Sequence, residues 1–130
     1  MNKRTPSTML AAHLPEDAFQ QTVIELAQYL GYKVAHFRGV RIQRRDGSVY
    51  YQTPVQADGK GFPDLVLTRP GRLIFAELKS DTGKVSPEQQ TWLEAVDAGG
   101  AEAYTWKPRD WQEIQAVLTS KLPPNKYEEV

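Results

Sequence analysis

Three charged residues, Asp64, Glu77 and Lys79, are spaced so that two neighbouring strands would bring them together. Each carboxylate borders or lies in a run of apolar residues, and Pro70 and Gly71 between the runs suit the centre of a tight turn. The register set by this turn places Asp64 opposite Glu77, with Cβ atoms about 4.5–5.5 Å apart. Lys79 lies two residues beyond Glu77 and points to the same face. The sequence therefore predicts three charged groups at one end of a buried hairpin.

Such a pair of carboxylates suggests a metal site. Two carboxylates this close repel each other unless one is protonated or a cation lies between them. Mg²⁺ typically takes one or two carboxylates and completes its coordination with water and phosphate oxygens. A bound divalent ion also lowers the pKa of its water and stabilises added negative charge, which phosphodiester hydrolysis requires. The alternative interpretation is a buried ion-pair network that affects only folding specificity.

The composition limits the other chemistry. The 130-residue chain has no cysteine, and its two histidines, His13 and His36, cannot form a zinc site alone. We therefore expect any metal to be bound mainly by oxygen, and His36 to be a packed strand residue. No stretch approaches the roughly 18 apolar residues of a membrane span, and residues 1–14 lack a signal-type apolar run. These features predict a cytoplasmic protein without a membrane partner.

Basic residues are concentrated in one segment, although the chain has 16 basic and 16 acidic residues and no net charge. Residues 32–60 hold six basic side chains against two acidic ones. Such a segment can follow a phosphate backbone, and the alternative is an ordinary solvated hairpin or a dimer arm. The candidate nucleic-acid contacts are Arg38, Arg41, Arg44, Arg45, Lys60 and, further along, Lys84.

The apolar pattern predicts the order helix, strand, inserted hairpin, strand, strand, helix, strand, helix. The hairpin, residues 40–53, is expected to close with a two-residue turn at Asp46-Gly47, and the strands at residues 64–68 and 72–78 to be buried on both faces. The helix after them should begin at Ser86, and the three tryptophans should lie in the core. We expect one folded domain over residues 15–120 between flexible segments at 1–14 and 121–130, with a mixed α/β sheet covered by helices on both faces.

The motif resembles a known nuclease signature. Pro63-Asp64 followed by Glu77-Leu78-Lys79 resembles the PD-(D/E)xK pattern, and the element order resembles the αβββαβ core of the restriction-endonuclease-like fold, apart from the inserted hairpin. The surrounding segments, over about residues 16–115, are similar to the VRR-NUC (virus-type replication-repair nuclease) family. They are Gly61–Leu65, Ser86–Gln89, Trp92 and Gly99-Gly100. This resemblance implies Mg²⁺- or Mn²⁺-dependent cleavage of DNA, and its short members resemble Holliday-junction resolvases that act as homodimers.

The resemblance also implies roles for individual residues. Asp64 and Glu77 would bind the metal together with the backbone carbonyl of Leu78. Lys79 would orient or activate the attacking water and balance charge in the transition state. Glu16 matches the family's first-helix glutamate, which touches the metal directly or through water.

Two of the assignments that follow from the resemblance have alternatives. Glu25 lies in the same helix as Glu16 and is the other candidate for the helical acid. Gln89 matches a family glutamine that faces the site, and the alternative is that Gln89 only closes a capping box with Ser86.

We therefore expect a Mg²⁺- or Mn²⁺-dependent DNA endonuclease, specific for four-way junctions or other branched DNA, that acts as a homodimer in DNA repair. One alternative is a non-catalytic nucleic-acid-binding module with a nuclease-like fold. The others are a flap or general nuclease, and a small assembly protein whose ion pairs are structural.

Overall fold

The computed structural model describes residues 14–37, 40–52 and 55–124, with the backbone alone at residues 40–41 and 51–52. A short 3₁₀ turn, Pro108–Asp110, leads into the last helix. In chain order, the elements are α1 (Glu16–Tyr29), β1 (Lys33–His36), β2 (Val40–Gln43), β3 (Val49–Gln52), β4 (Leu65–Arg69), β5 (Arg72–Leu78), α2 (Pro87–Ala98), β6 (Glu102–Trp106) and α3 (Trp111–Thr119). This is the predicted order. Residues 1–13 and 125–130 of the two expected flexible ends lie outside the described residues.

The main sheet has four strands in the order β1-β4-β5-β6. β4 pairs antiparallel with both β1 and β5, whereas β5 and β6 are parallel. Arg69 pairs with Arg72, which confirms Pro70 and Gly71 as the centre of the turn between β4 and β5. This mixed sheet with flanking helices confirms the predicted α/β class and is consistent with a restriction-endonuclease-like fold.

The inserted hairpin, β2 and β3, forms a separate two-stranded sheet. Its turn has three loop residues, so the predicted two-residue turn is wrong. The Arg44 N–H donates to Ser48 O at 2.8 Å, and the Gly47 N–H donates to Arg44 O at 3.0 Å. Asp46 Oδ1 accepts hydrogen bonds from the Ser48 N–H and hydroxyl, and Gly47 takes a φ of +92°. The aspartate thereby stabilises a bulged turn that uses glycine at its last position.

The core lies on one face of the main sheet. Helices α1 and α3 pack there against the alternate strand residues Leu65, Leu67, Ile74 and Ala76, each of which is fully buried. None of the helices in the described part of the chain is long and apolar enough to span a membrane.

The opposite face is only partly covered, so the prediction that both faces are buried is wrong. Thr68 is exposed, and 44% of Leu73 is accessible to solvent. Among the described helices, α2 is the one on this face. There Trp92 packs edge-on against the loop residue Phe62, and Phe62 packs edge-on against Phe75 on β5. A single 12-residue helix is too short to cover four strands, and the face stays open beside α2.

A buried ion pair joins β5 to β6 at the end of the sheet where the turn between β4 and β5 lies. Arg72 donates two hydrogen bonds to Glu102, from Nε at 2.7 Å and Nη2 at 2.6 Å, and its side chain is fully buried. Arg72 Nη1 also donates to the backbone carbonyls of Val117 and Ser120. The pair therefore fixes the end of α3 to the sheet.

Candidate active site at the ends of β4 and β5

The Asp64 carboxylate is held at the point where β4 begins. Asp64 Oδ2 accepts a hydrogen bond from the Leu78 N–H at 2.8 Å. The Lys79 N–H donates to Trp106 O on β6, so the Leu78 N–H and C=O, one residue earlier, both point towards the β4 side. The pairing of β4 with β5 ends before Leu78, so no backbone carbonyl of β4 accepts the Leu78 N–H. The Asp64 carboxylate accepts it instead. This contact places Asp64 and the Leu78 carbonyl on the same side of β5.

Glu77 is buried beside Asp64, as the predicted register requires. Only 2% of its side chain is exposed, and its Oε2 lies 3.5 Å from Lys79 Nζ. Gln89 Nε2 donates to the same Oε2 at 2.7 Å. The other oxygen, Oε1, is buried and accepts no hydrogen bond from the described residues. A buried carboxylate oxygen without a partner is costly unless a proton or a cation is bound there.

The electrostatics of the pair favour a bound proton when no metal is present. Burial and the negative charge of Asp64 together raise the pKa of Glu77 to about 8, against the opposing effect of Lys79. Burial also raises the pKa of Asp64, against the opposing effect of the Leu78 amide hydrogen bond. At neutral pH Glu77 therefore holds a proton that it can donate to Asp64.

Metal-free protein should consequently lose stability as the pH rises. A folded-state pKa above the ordinary value of 4.5 gives stabilisation that is complete below pH 4.5 and is lost as the pH passes through about 8. One pKa unit corresponds to about 1.4 kcal/mol, so we expect a loss of a few kcal/mol at most. Thermal melts in EDTA from pH 5 to 9 measure this effect. Glu77→Gln should flatten the profile, and a parent protein that gains stability with pH relative to this variant would contradict the assignment.

Gln89 both closes a capping box and contacts the site. Its amide oxygen accepts from the Ser86 N–H at 2.8 Å, and Ser86 Oγ accepts from the Gln89 N–H at 3.2 Å. This reciprocal pair is a capping box at the start of α2. Because the oxygen of Gln89 is used by the cap, its NH₂ group is left pointing at Glu77. The capping box thus aims the contact with the buried carboxylate.

The loop before Asp64 depends on one glycine to lie against α2. Gly61 has a φ of +84°, and a Cβ there would lie 2.6 Å from Glu88 C and 2.7 Å from Gln89 N. The Trp92 indole N–H donates to Asp58 O at 2.9 Å and holds the same loop. Trp92 is half-buried at this contact, whereas the other two tryptophans lie in the core as predicted.

We expect Gly61→Ala to impair both stability and activity. Strain at positive φ costs about 1–2 kcal/mol, and the clash with Glu88 and Gln89 must also push the loop away from α2. Gly100→Ala is the matched control, because Gly100 has a φ of +98° and no atom within 4 Å of a Cβ. Urea unfolding should show a larger loss for Gly61→Ala than for Gly100→Ala. Equal losses would mean that the contact with α2 has no energetic role.

The other predicted site residues are not gathered at the carboxylate pair. Glu16 is exposed in the first turn of α1, and within the described segments no three acidic or histidine side chains are grouped closely enough to hold a metal ion. Glu25 is also exposed and accepts a hydrogen bond from Gln21. Neither glutamate is brought to Asp64 and Glu77 in this structure.

The structure describes four of the six candidate nucleic-acid contacts. Arg44, Arg45, Lys60 and Lys84 are exposed, and the Arg44 guanidinium lies 4.0 Å from the centre of the Tyr50 ring. Arg38 lies outside the described residues, and Arg41 is described by its backbone alone.

His36 lies near the site, where sequence reasoning did not place it. The positive form of His36 lowers the pKa of Asp64, because the end of β1 lies beside Asp64. The Phe37 N–H donates to Asp64 O at 2.8 Å at the same point. The pairing of β1 with β4 would have placed His36 near Asp64. The sequence does not indicate this pairing, because the alternation at residues 33–37 predicts a strand but not its partner strand.

Comparison with known proteins gives one match. A family model of the VRR-NUC domain matches residues 16–110, which include all five proposed catalytic residues: Glu16, Asp64, Glu77, Lys79 and Gln89. Searches of curated proteins and of solved structures found no match.

Proposed function

Because the chain belongs to the VRR-NUC family, we propose that this nuclease-type domain is a metal-dependent DNA endonuclease. Its active site, formed by Asp64, Glu77 and Lys79, would hydrolyse phosphodiester bonds. The observation that carries the proposal is the buried Glu77 carboxyl group held beside a second carboxylate, Asp64, and the ammonium group of Lys79. A purely structural ion pair between Glu77 and Lys79 would not need a second carboxylate that repels the first.

The residues present fit a hard divalent cation. Asp64 and Glu77 supply carboxylate oxygens, and the Leu78 carbonyl points to the same side of β5. Oxygen ligands of this kind suit Mg²⁺ or Mn²⁺. Glu16 is proposed as a further ligand, directly or through water, on the family resemblance alone, because the structure does not group it with Asp64 and Glu77. When bound, the cation would lower the pKa of a water molecule and stabilise charge on the phosphate.

The surrounding residues would orient the reaction. Lys79 lies 3.5 Å from Glu77 and 17% of its side chain is exposed, so its ammonium group contacts the carboxylate and stays accessible to a phosphate from solvent. There it would orient the attacking water and balance the added negative charge. Gln89 would hold the Glu77 carboxylate in one orientation. The expected products carry a 5′-phosphate and a 3′-hydroxyl group.

Branched DNA and a homodimer are the finer parts of the proposal. Arg44 and Arg45 are exposed on the hairpin, which supports DNA contact there. The hairpin follows β1 in the chain, and the end of β1 lies beside Asp64. Two symmetric cuts in a four-way junction need two active sites related by a two-fold axis. Light scattering of the free protein and of its complex with a junction measures the subunit number, and a monomer in both states would remove the dimer.

The deciding experiment is cleavage of end-labelled four-way junction, flap, single-stranded and linear duplex DNA with Mg²⁺ or Mn²⁺. Lys79→Ala is run beside the parent protein. Symmetric junction cuts that vanish in the variant would support a junction resolvase, and activity on every substrate would indicate a flap or general nuclease. If no substrate is cut with either metal, the non-catalytic binding module replaces this proposal.

A further inference from the structure

The loops that follow β5 and β6 place a second lysine level with the site. In the parallel register Glu77 pairs with Thr105 and Leu78 pairs with Trp106. The Lys79 N–H donates to Trp106 O at 3.0 Å, so the two chains stay together beyond the last pair. One step further in the same register, Lys107 is level with Lys79, on the face that carries Glu77. Neighbouring strands lie about 4.8 Å apart, so Lys107 lies one strand away from the site.

The backbone around Lys107 is fixed by two aspartates. The Arg109 N–H donates to Asp81 Oδ1 at 3.3 Å, and the Lys107 N–H donates to Asp110 Oδ2 at 2.8 Å. Lys107 Nζ contacts the Asp81 backbone carbonyl at 3.4 Å rather than a carboxylate. These contacts connect the loop after β5 to the loop after β6.

The two cations of the second loop, Lys107 and Arg109, make no direct ion pair within the described segments. One oxygen of the Asp81 carboxylate and one of the Asp110 carboxylate accept backbone N–H groups instead. Arg109 is exposed. Two positive charges are therefore held on ordered backbone beside the proposed catalytic lysine, Lys79.

We propose that Lys107 and Arg109 bind a DNA phosphate next to the scissile one, on the β6 side of the site. This inference rests on the proposed nuclease function and adds the direction in which the DNA strand crosses the sheet. Asp64, Glu77 and Lys107 lie on one face at the ends of three consecutive strands, so the DNA strand crosses β4, β5 and β6 in that order. We call Lys107 and Arg109 the phosphate strip.

The salt dependence of DNA binding tests the strip. Fluorescein-labelled four-way junction and linear duplex are titrated in EDTA, where no cutting occurs, with the parent protein and with Lys107→Met combined with Arg109→Gln. Each phosphate contact contributes about 0.9 to the slope of log K against log salt. The slope for the double variant should be smaller in magnitude than the parent slope by about 1.8. Between 50 and 200 mM salt, the fold-loss of affinity should therefore be roughly ten times smaller for the double variant than for the parent.

Lys33→Gln is the control for the loss of a surface cation away from the site. Lys33 is exposed at the start of β1 and pairs with Thr68, at the other end of the sheet from Asp64. Its removal should leave the slope unchanged. A double variant with the parent slope would overturn the strip. A parent protein that binds no DNA would overturn the strip and the DNA substrate together.

Neutral linkages in the DNA identify the phosphate. Methylphosphonates placed one at a time around the cut should weaken binding by the parent at one neighbouring position, and the double variant should be insensitive at that position. With Mg²⁺ or Mn²⁺, the loss of activity should fall mainly on KM, whereas Lys79→Ala should act on kcat. Equal sensitivity of parent and double variant at every linkage would overturn the contact, even if both proteins cut DNA.

Discussion

Glu77→Gln should abolish DNA cleavage and leave DNA binding unchanged or stronger. The substitution keeps the shape of the side chain but removes the charge that would bind the metal beside Asp64. A bound metal supplies several kcal/mol of transition-state stabilisation, and each 1.36 kcal/mol corresponds to tenfold in rate. We therefore expect a rate at least about 10³-fold lower. Binding in EDTA should not suffer at neutral pH, because Glu77 is then already protonated, and it should strengthen above about pH 8, where the parent carboxylate repels the phosphate.

Three measurements separate this loss from a general defect. Binding is measured in EDTA, cleavage in Mg²⁺ or Mn²⁺, and folding by thermal melts with and without metal. The metal should raise the Tm of the parent and not that of Glu77→Gln. Glu94→Gln is the matched control, because Glu94 is exposed on α2 and accepts a hydrogen bond from its helix neighbour Gln90. If Glu77→Gln cut DNA at the parent rate, the assignment of the site would be wrong.

The pairing of Asp64 with Glu77 could be predicted because it depends on local geometry. Pro70 and Gly71 determine the register of a tight turn, and the alternation of strand residues then carries that register to the far end of the hairpin. The capping box at Ser86 was predictable for the same reason, since it involves residues three apart. Local rules of this kind extend from the turn to the carboxylates.

Burial and long-range contacts could not be predicted in this way. The apolar runs in β4 and β5 are typical of strands buried on both faces, but the coverage of the second face depends on where α2 packs. Leu73 is therefore exposed although it lies beside apolar residues of its own strand. The contact of the Leu78 amide with Asp64 similarly depends on where β4 ends relative to β5.

Arg72→Met should destabilise the fold more than any other substitution proposed for this chain. The Arg72 guanidinium is fully buried and donates to Glu102, Val117 and Ser120, and its partner Glu102 also accepts a hydrogen bond from the Tyr104 hydroxyl. Methionine fills a similar volume but leaves the Glu102 carboxylate buried without its cation. Removing one partner of a buried pair costs about 3–5 kcal/mol, against about 5–15 kcal/mol for the total stability of a domain.

Urea unfolding of single and double variants tests whether the cost arises from the unpaired charge. Glu102→Gln in the Arg72→Met background should recover part of the lost stability, because the amide is cheaper to bury than the carboxylate. Arg69→Met is the matched control: Arg69 also donates to Ser120 O and to Leu30 O, but it is half-buried and has no buried carboxylate partner among the described residues. It should cost less than Arg72→Met. A loss below about 1 kcal/mol for Arg72→Met would show that water reaches Glu102 and that the pair does not hold α3 on the sheet.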